Sequence, residues 1–325
     1  MSTEGQIHQI LQKTGEVKLT ELVEWTGSSR QMVHRALKAL IEKGKVTKLG
    51  TAPRTFYKLS DPALKQVSHS LSLEEQKFLQ EDFLLVTETG VKLTGFEALA
   101  NWCARQKLPI EKTAKEFIST RKKYLEYFLP GGLINGNAKI QSTKGFSKIG
   151  LDEIYYLDFY AIERFEKTRL GTLLHLAKQG QNKKLMDEII ELVKERIERL
   201  VSELKVDAIS YIPPTIKREV QFMKVLERKL NLPLPHVKLV KVTGEIAIPQ
   251  KALSKIEDRI SNARVSIMVN ENRVFKKVLL IDDAVGSGAT LNETALKLKE
   301  KELAKKVIGL AITGSFKGFD VIQEV

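Results

Sequence analysis

The chain has 325 residues, 42% of them apolar and 29% charged, the balance of a folded globular protein with room for two or three domains. Lys and Arg number 53 against 40 Asp and Glu, a net charge of +13 that points to polyanionic partners. A single cysteine, Cys103, excludes an intrachain disulfide and a multi-cysteine zinc site and fits a cytoplasmic protein, and the lack of a long apolar run or a basic-then-apolar leader predicts neither a membrane span nor a signal peptide.

In chain order, Ile7, Ile10 and Leu11 mark the inner face of a first helix, and Leu19–Thr26 reads as a second, with Leu22 and Val23 inward. Gly27 is a turn, Ser28 a candidate N-cap, and Ser29–Glu42 a longer helix. Val33, Ala36, Leu37, Leu40 and Ile41 form its apolar stripe. Arg30, Gln31, His34, Arg35 and Lys38 fall on the opposite face. Lys45–Leu49 and Thr55–Leu59 alternate as two strands around Gly50-Thr-Ala-Pro-Arg54. Helix, helix, turn, helix and β-hairpin in this order resemble a winged helix-turn-helix domain, here 1–62. Within residues 1–60 ten basic residues face five acids. The resemblance implies binding to double-stranded DNA. Ser29, Arg30, Gln31, His34, Arg35 and Lys38 would lie at the groove, where Arg and Gln can reach base edges. Lys38, Lys48 and Arg54 would neutralise phosphates.

Residues 63–150 read as a mostly helical connector: Leu73–Leu85, Gly95–Gln106 and Glu111–Phe128, interrupted at Leu108-Pro-Ile. Trp102, Phe117, Tyr124 and Phe128 are core candidates, and Cys103 is a buried helical position rather than a nucleophile. Pro130-Gly-Gly132 is a turn, and Asn135-Gly136 is a hairpin signal.

From Asp152 strands and helices alternate, the pattern of an α/β domain with a mainly parallel sheet over 151–325. Ile154–Tyr160, Ala208–Ile212, Val237–Val242, Val265–Val269, Val278–Ile281 and Val307–Ile312 are the expected strands. Leu170–Lys178 is helical. Leu185, Ile189, Val193, Ile197, Leu200 and Leu204 line one face of a long helix. Lys217 and Arg218 are expected to open a helix that runs to Leu230.

The most informative stretch is 278–290. A buried aliphatic strand, Val278–Ile281, ends at two adjacent acids, Asp282 and Asp283. A small-residue loop, Ala284-Val285-Gly286-Ser287-Gly288-Ala289, then meets a helix opened by Thr290, with Leu291, Ala295 and Leu298 on one face. Glycines let a backbone approach a phosphate closely, and the helix N-terminus favours its charge. A nucleotide P-loop would need Gly-Lys-Ser/Thr, and this loop has no lysine. A dinucleotide fingerprint would place its glycines directly after the strand, without two acids. Carboxylates accept hydrogen bonds from vicinal hydroxyls, so acids beside a phosphate cradle suit a sugar phosphate.

This stretch resembles the signature of the type I phosphoribosyltransferases, which bind phosphoribosyl pyrophosphate (PRPP). Residues 154–325 look like their competence protein F branch. They share the helix ending in Lys178, the strand leading into Pro213-Pro214, Gln250-x2-Leu253-x5-Arg259-x2-Asn262 ahead of a strand, and a closing Gly318-Phe319. That branch commonly begins with a cysteine-rich zinc ribbon, in whose place this chain carries the winged helix and connector. The resemblance implies that Ala284–Thr290 hold the 5′-phosphate and that Asp282 and Asp283 hold the ribose hydroxyls and serve the transfer, with Mg²⁺ arriving on PRPP and no protein ligand assigned to it. Pro214, Thr215, Lys217 and Arg218 would form a pyrophosphate loop. Residues 244–264 would form a mobile loop bearing Gln250, Arg259 and Asn262, with Arg259 against pyrophosphate. Lys217 and Arg218 read equally as a solvated helical turn, and Arg259 as a structural ion pair. No residues are assigned to an acceptor pocket; Phe316 and Phe319 could stack a base or simply pack.

The leading expectation is a homodimeric, cytoplasmic DNA-binding regulator that senses PRPP or a nucleotide. The alternatives are an active Mg²⁺-dependent phosphoribosyltransferase joining a nitrogenous base to PRPP, and a nucleic-acid-processing accessory of the competence type.

Overall fold

A computed structural model describes residues 2–50, 55–60, 71–216, 218–242, 253 and 255–315. The chain divides into two compact units, 1–118 and 119–325. Its architecture is α/β with a mixed, mostly parallel main sheet. Among the described residues no helix is long and apolar enough to cross a membrane.

The first unit begins with α1 (Thr3–Thr14), β1 (Glu16–Lys18), α2 (Leu19–Thr26), α3 (Arg30–Glu42), β2 (Val46–Leu49) and β3 (Phe56–Leu59). Ile7, Leu11, Val17, Leu22, Val33, Leu37, Leu40, Val46 and Tyr57 close one small core. Two details differ from the sequence-based expectation. The cap of α3 is Ser29, whose hydroxyl accepts from Met32 N–H at 3.3 Å, not Ser28. Glu16–Lys18 is a third strand, antiparallel to β3 and giving the order β1-β3-β2. Three residues are too few for an alternation to register, so its partner defines it.

The same unit continues with α4 (Leu73–Asp82), capped reciprocally by Ser72 and Glu75. The expected continuation of this helix to Leu85 fails. Leu84–Val86 is β4, antiparallel to β5 (Lys92–Thr94), because Gly90 at φ +78° turns the chain back. Helix α5 (Gly95–Gln106) buries Trp102 and Cys103, and Phe117 of α6 (Ile110–Leu125) lies edge-on to Phe83 at 4.8 Å. Helix α6 stops at Leu125, short of the expected Phe128, which is only half-buried.

In the second unit, β6 (Ile134–Asn135) pairs antiparallel with β7 (Glu153–Phe159), so Asn135-Gly136 is not a hairpin turn. Gly136 instead leads into α7 (Asn137–Ser142). A Cβ on Gly136 would run into the ring and hydroxyl of Tyr156, which explains the glycine. Next come α8 (Arg169–Gln179), α9 (Lys183–Glu203), β8 (Ala208–Tyr211), α10 (Phe222–Leu230), β9 (Leu239–Lys241), α11 (Ile256–Ser266), β10 (Ile267–Val269), β11 (Phe275–Val285), α12 (Ala289–Glu300) and β12 (Ala304–Gly314).

The main sheet has the order β6-β7-β12-β11-β8, parallel except for β6. Val278, Leu279, Leu280 and Ile281 are fully buried between its two helical layers, as expected for a strand covered on both faces. Strands β9 and β10 do not join this sheet. After a lone bridge between Ile209 and His236 the chain leaves the edge, and β9 and β10 form their own antiparallel ribbon. Helix α10 starts at Phe222 rather than at Lys217. The Arg218 guanidinium donates to Lys178 O at 2.8 Å and Val220 N–H to the Gln181 side chain at 2.9 Å, which holds 218–221 outside a helix.

Two polar contacts fix the layers of this unit. Arg121 makes a bidentate pair with Asp158 at 2.9 and 3.0 Å, with side chains 8% and 10% exposed. Asn292, fully buried on α12, accepts from Gly150 N–H at 2.8 Å and donates to Lys148 O at 3.0 Å.

Candidate functional site

Strand β11 runs through the two acids to Val285 rather than ending before them. Its paired neighbour holds it extended: Asp282 lies opposite Ala311, and Ala284 opposite Thr313. Successive strand residues project to opposite faces, so Asp282 and Asp283 meet different layers. Asp283 faces α8, where Lys178 Nζ stands 2.6 Å from its Oδ2. Asp282 lies in the field of Lys241 on the β9–β10 ribbon. The Asp283 N–H donates to Asp282 Oδ1 at 2.8 Å, fixing that carboxylate's orientation.

The turn after the strand is three residues, Gly286-Ser287-Gly288, all buried. Helix α12 opens at Ala289, one residue earlier than expected. Gly288 has φ +83°, and a Cβ there would overlap the Ile140 side chain of α7. Glycine satisfies both the left-handed backbone and the close cover. The Ser287 hydroxyl accepts weakly from Ala289 N–H at 3.4 Å. The helix N-terminus therefore opens beside the acids, with its dipole favouring an anion.

These residues line one cavity of about 250 Å³. All of Asp282–Thr290 contribute, together with Pro214, Thr215 and Arg218 from the loop after β8, and Arg259. Segments distant in sequence are thus brought to one place. Arg218 is held by the carboxyl end of α8, through Lys178 O and the Gln179 side chain. Arg259 sits on helix α11, not in a loop. It is 4% exposed, and its Nε donates to Leu253 O at 2.7 Å. Burial lowers its pKa. Asn262 is also on α11, with its Oδ1 3.5 Å from Ser266 Oγ, and is not part of the cavity wall. The expected mobile loop is therefore helical from Ile256 onward. Lys217, Gln250, Arg54, Phe316, Gly318 and Phe319 lie outside the described residues.

The electrostatics are those of a crowded, half-dry site. Burial first, and the Asp283 charge second, push the Asp282 carboxyl up to about 7, against the opposing pull of Lys178 and Lys241. Burial also lowers Lys241, which Asp282 partly offsets. Burial and then Asp283 raise the Tyr160 hydroxyl well above its usual range. Among the described residues no group of three His, Cys, Asp or Glu side chains is placed to hold a metal.

Lys241 and Tyr160 carry no site signal of their own in the sequence, and the resemblance marks Lys178 as a helix end without giving it a role. Lys178 reads there as an ordinary cation closing a helix, Lys241 as an alternating strand residue and Tyr160 as a strand end. Only the three-dimensional placement connects them to the acids.

On the first unit, Ser29, Arg30, Gln31, His34, Arg35, Lys38 and Lys48 are all exposed. Gln31, Arg35 and Lys38 lie opposite the buried stripe of α3, with Arg30 and His34 on one flank. Lys38 makes a long, solvated pair with Glu42 at 3.9 Å. Met32 is 54% exposed beside them.

No protein-family model matches the chain, and no curated protein is significantly similar to it.

Proposed function

We propose that the second unit binds a phosphorylated ribose donor of the PRPP type, and that the chain is a DNA-binding transcriptional regulator responsive to that ligand. The observation that carries this is the single cavity in which the acid pair, the glycine turn at a helix N-terminus and the Pro214–Arg218 loop converge. Ala284–Thr290 would take the 5′-phosphate, Asp282 and Asp283 the ribose diol, and Arg218 with the helix N-terminus would offset anionic charge. The site suits Mg²⁺ carried on the ligand's own phosphates: both carboxylates face the cavity, Asp283 against Lys178 and Asp282 in the field of Lys241. When bound, that ion would neutralise pyrophosphate charge.

For the first unit, the winged helix-turn-helix reading draws support from the three-helix core, the three-stranded sheet and the exposed basic face of α3. Regulators of this kind read paired half-sites as dimers. The test is fluorescence anisotropy on the protein's upstream DNA at one fixed salt concentration, with and without PRPP and Mg²⁺. A ligand-dependent shift that vanishes in Asp282→Asn supports a ligand-gated regulator. Unchanged DNA affinity removes the gating.

A second reading is favoured by the apolar wall of the same cavity, made by Leu174, Ile212, Phe222 and Met223. Such a wall beside a donor site would suit an aromatic base, making the protein an active phosphoribosyltransferase. Pyrophosphate release that requires an added base would establish it. If Asp282→Asn with Asp283→Asn leaves DNA binding and cellular function untouched, the accessory role without donor binding takes precedence.

A further inference from the structure

Among the described residues Lys178 is the one ammonium in direct contact with the acid pair, and the fold fixes its helix at both ends. Helix α8 packs closely enough on the end of β7 that a Cβ on Gly171 would overlap the Tyr160 carbonyl. Thr168 staples the helix start, donating from Oγ1 to Phe159 O at 2.7 Å while accepting from Gly171 N–H at 3.0 Å. The far end is tied to the opposite cavity wall. Arg218 donates to Lys178 O, and Val220 N–H donates to the Gln181 side chain. Helix end and loop are therefore tied together, and Lys178 is carried on a helix held at both ends. Its side chain is 32% exposed and that of Asp283 20%, so solvent screens the pair only in part.

We propose that Lys178 is a positioning residue of the phosphosugar site: its ammonium ion, 2.6 Å from Oδ2, holds the Asp283 carboxylate aimed as the acceptor for one sugar hydroxyl. This rests on the donor-binding reading above. The groups facing the acid pair are Lys178 from α8 at Asp283, Lys241 from β9 in the field of Asp282, and the Tyr160 hydroxyl beyond β7; His175, Arg218 and Arg259 line the same cavity. Lys178 supplies the closest positive charge in this set. Without it, the Asp283 carboxylate loses the ammonium ion that contacts it and is no longer aimed. The loop cation Arg218 cannot substitute, because its guanidinium is already engaged by the end of α8.

The experiment compares wild type, Lys178→Met and Lys178→Arg. Binding of PRPP, and of inorganic pyrophosphate, which has no sugar hydroxyl, is measured by calorimetry with Mg²⁺. Lys178→Met is expected to weaken PRPP at least about tenfold near neutral pH, the scale of one charge-assisted hydrogen bond. Lys178→Arg should restore most of that affinity. A packing role alone would weaken pyrophosphate as much as PRPP and would not be restored by Lys178→Arg. Wild-type PRPP affinity in Lys178→Met would overturn the proposal while leaving the donor site intact. Failure of the wild type to bind PRPP at all would sink the donor reading, and this proposal with it.

Discussion

Helix α3 and the end of strand β11 both gather charge, but in opposite ways. On α3 the charged side chains stand in solvent, spaced along one helical face, and each can be removed with little effect on the others. At β11 the charges are half-buried, adjacent and paired across layers, so the state of each depends on its neighbours. Exposed charge gives salt-dependent attraction and tolerates substitution. Sheltered charge gives direction and pH dependence, and removing one partner leaves the other uncompensated. The contrast separates a surface suited to reading a polyanion from a site suited to gripping a small one.

The largest effect expected from breaking a sheltered pair is at Arg121. Arg121→Ala removes the bidentate partner of the buried Asp158, leaving the carboxylate the Phe159 N–H and the field of Arg196. A loss of about 3–5 kcal/mol in stability is expected from urea unfolding, as for other broken buried pairs. A loss below about 1 kcal/mol, the size seen for exposed pairs, would erase the distinction between sheltered and exposed charge in this protein.

A neutral counterpart sharpens the same point. Asn292→Ala leaves the Gly150 N–H and Lys148 carbonyl without their side-chain partner. It should cost about 1–3 kcal/mol, the penalty for orphaned buried polar groups. The helix that follows the Gly286–Gly288 turn would loosen, so any affinity for PRPP should fall alongside stability.

The acid pair predicts a smaller, pH-dependent effect. The Asp282 carboxyl titrates at about 7 in the folded protein and near 3.8 in its ordinary state. Between those values the folded state holds the proton more tightly, so this group's stabilising contribution is complete below the lower value and is lost as pH rises through about 7. Urea midpoints measured across this window should decline with pH in the wild type and flatten in Asp282→Asn. A midpoint that rises equally in both proteins would contradict the assignment.

The smallest effect on stability belongs to α3. Arg35→Ala and Lys38→Ala should each change stability by no more than about 0.5 kcal/mol. Each should nonetheless weaken DNA binding and lower the salt slope by about one unit for every phosphate no longer neutralised. A large loss of stability would show that this face is packed rather than solvated.

Much of this organisation is readable in the sequence, because it rests on periodicity and local chemistry. The apolar stripe of α3, the buried run Val278–Ile281 and the glycine turn each carry their signal within a few residues. The misreadings have a common origin in partners distant along the chain. Glu16–Lys18 becomes a strand only beside β3, and β9 and β10 pair with each other instead of the main sheet. The segment 218–221 is kept from helix by the end of α8. The site divides in the same way. Asp282–Thr290 announce themselves locally, whereas Lys178 and Lys241 gain their meaning from the layers that bring them to opposite sides of one strand.

The most direct test of the donor site is calorimetric titration of PRPP with Mg²⁺ into the full chain and into the Asp282→Asn, Asp283→Asn double variant, with thermal unfolding as a control on the fold. Saturable binding by the wild type is expected, lost in the double variant while cooperative unfolding persists. Equal binding by both proteins, or none by a folded wild type, would contradict it.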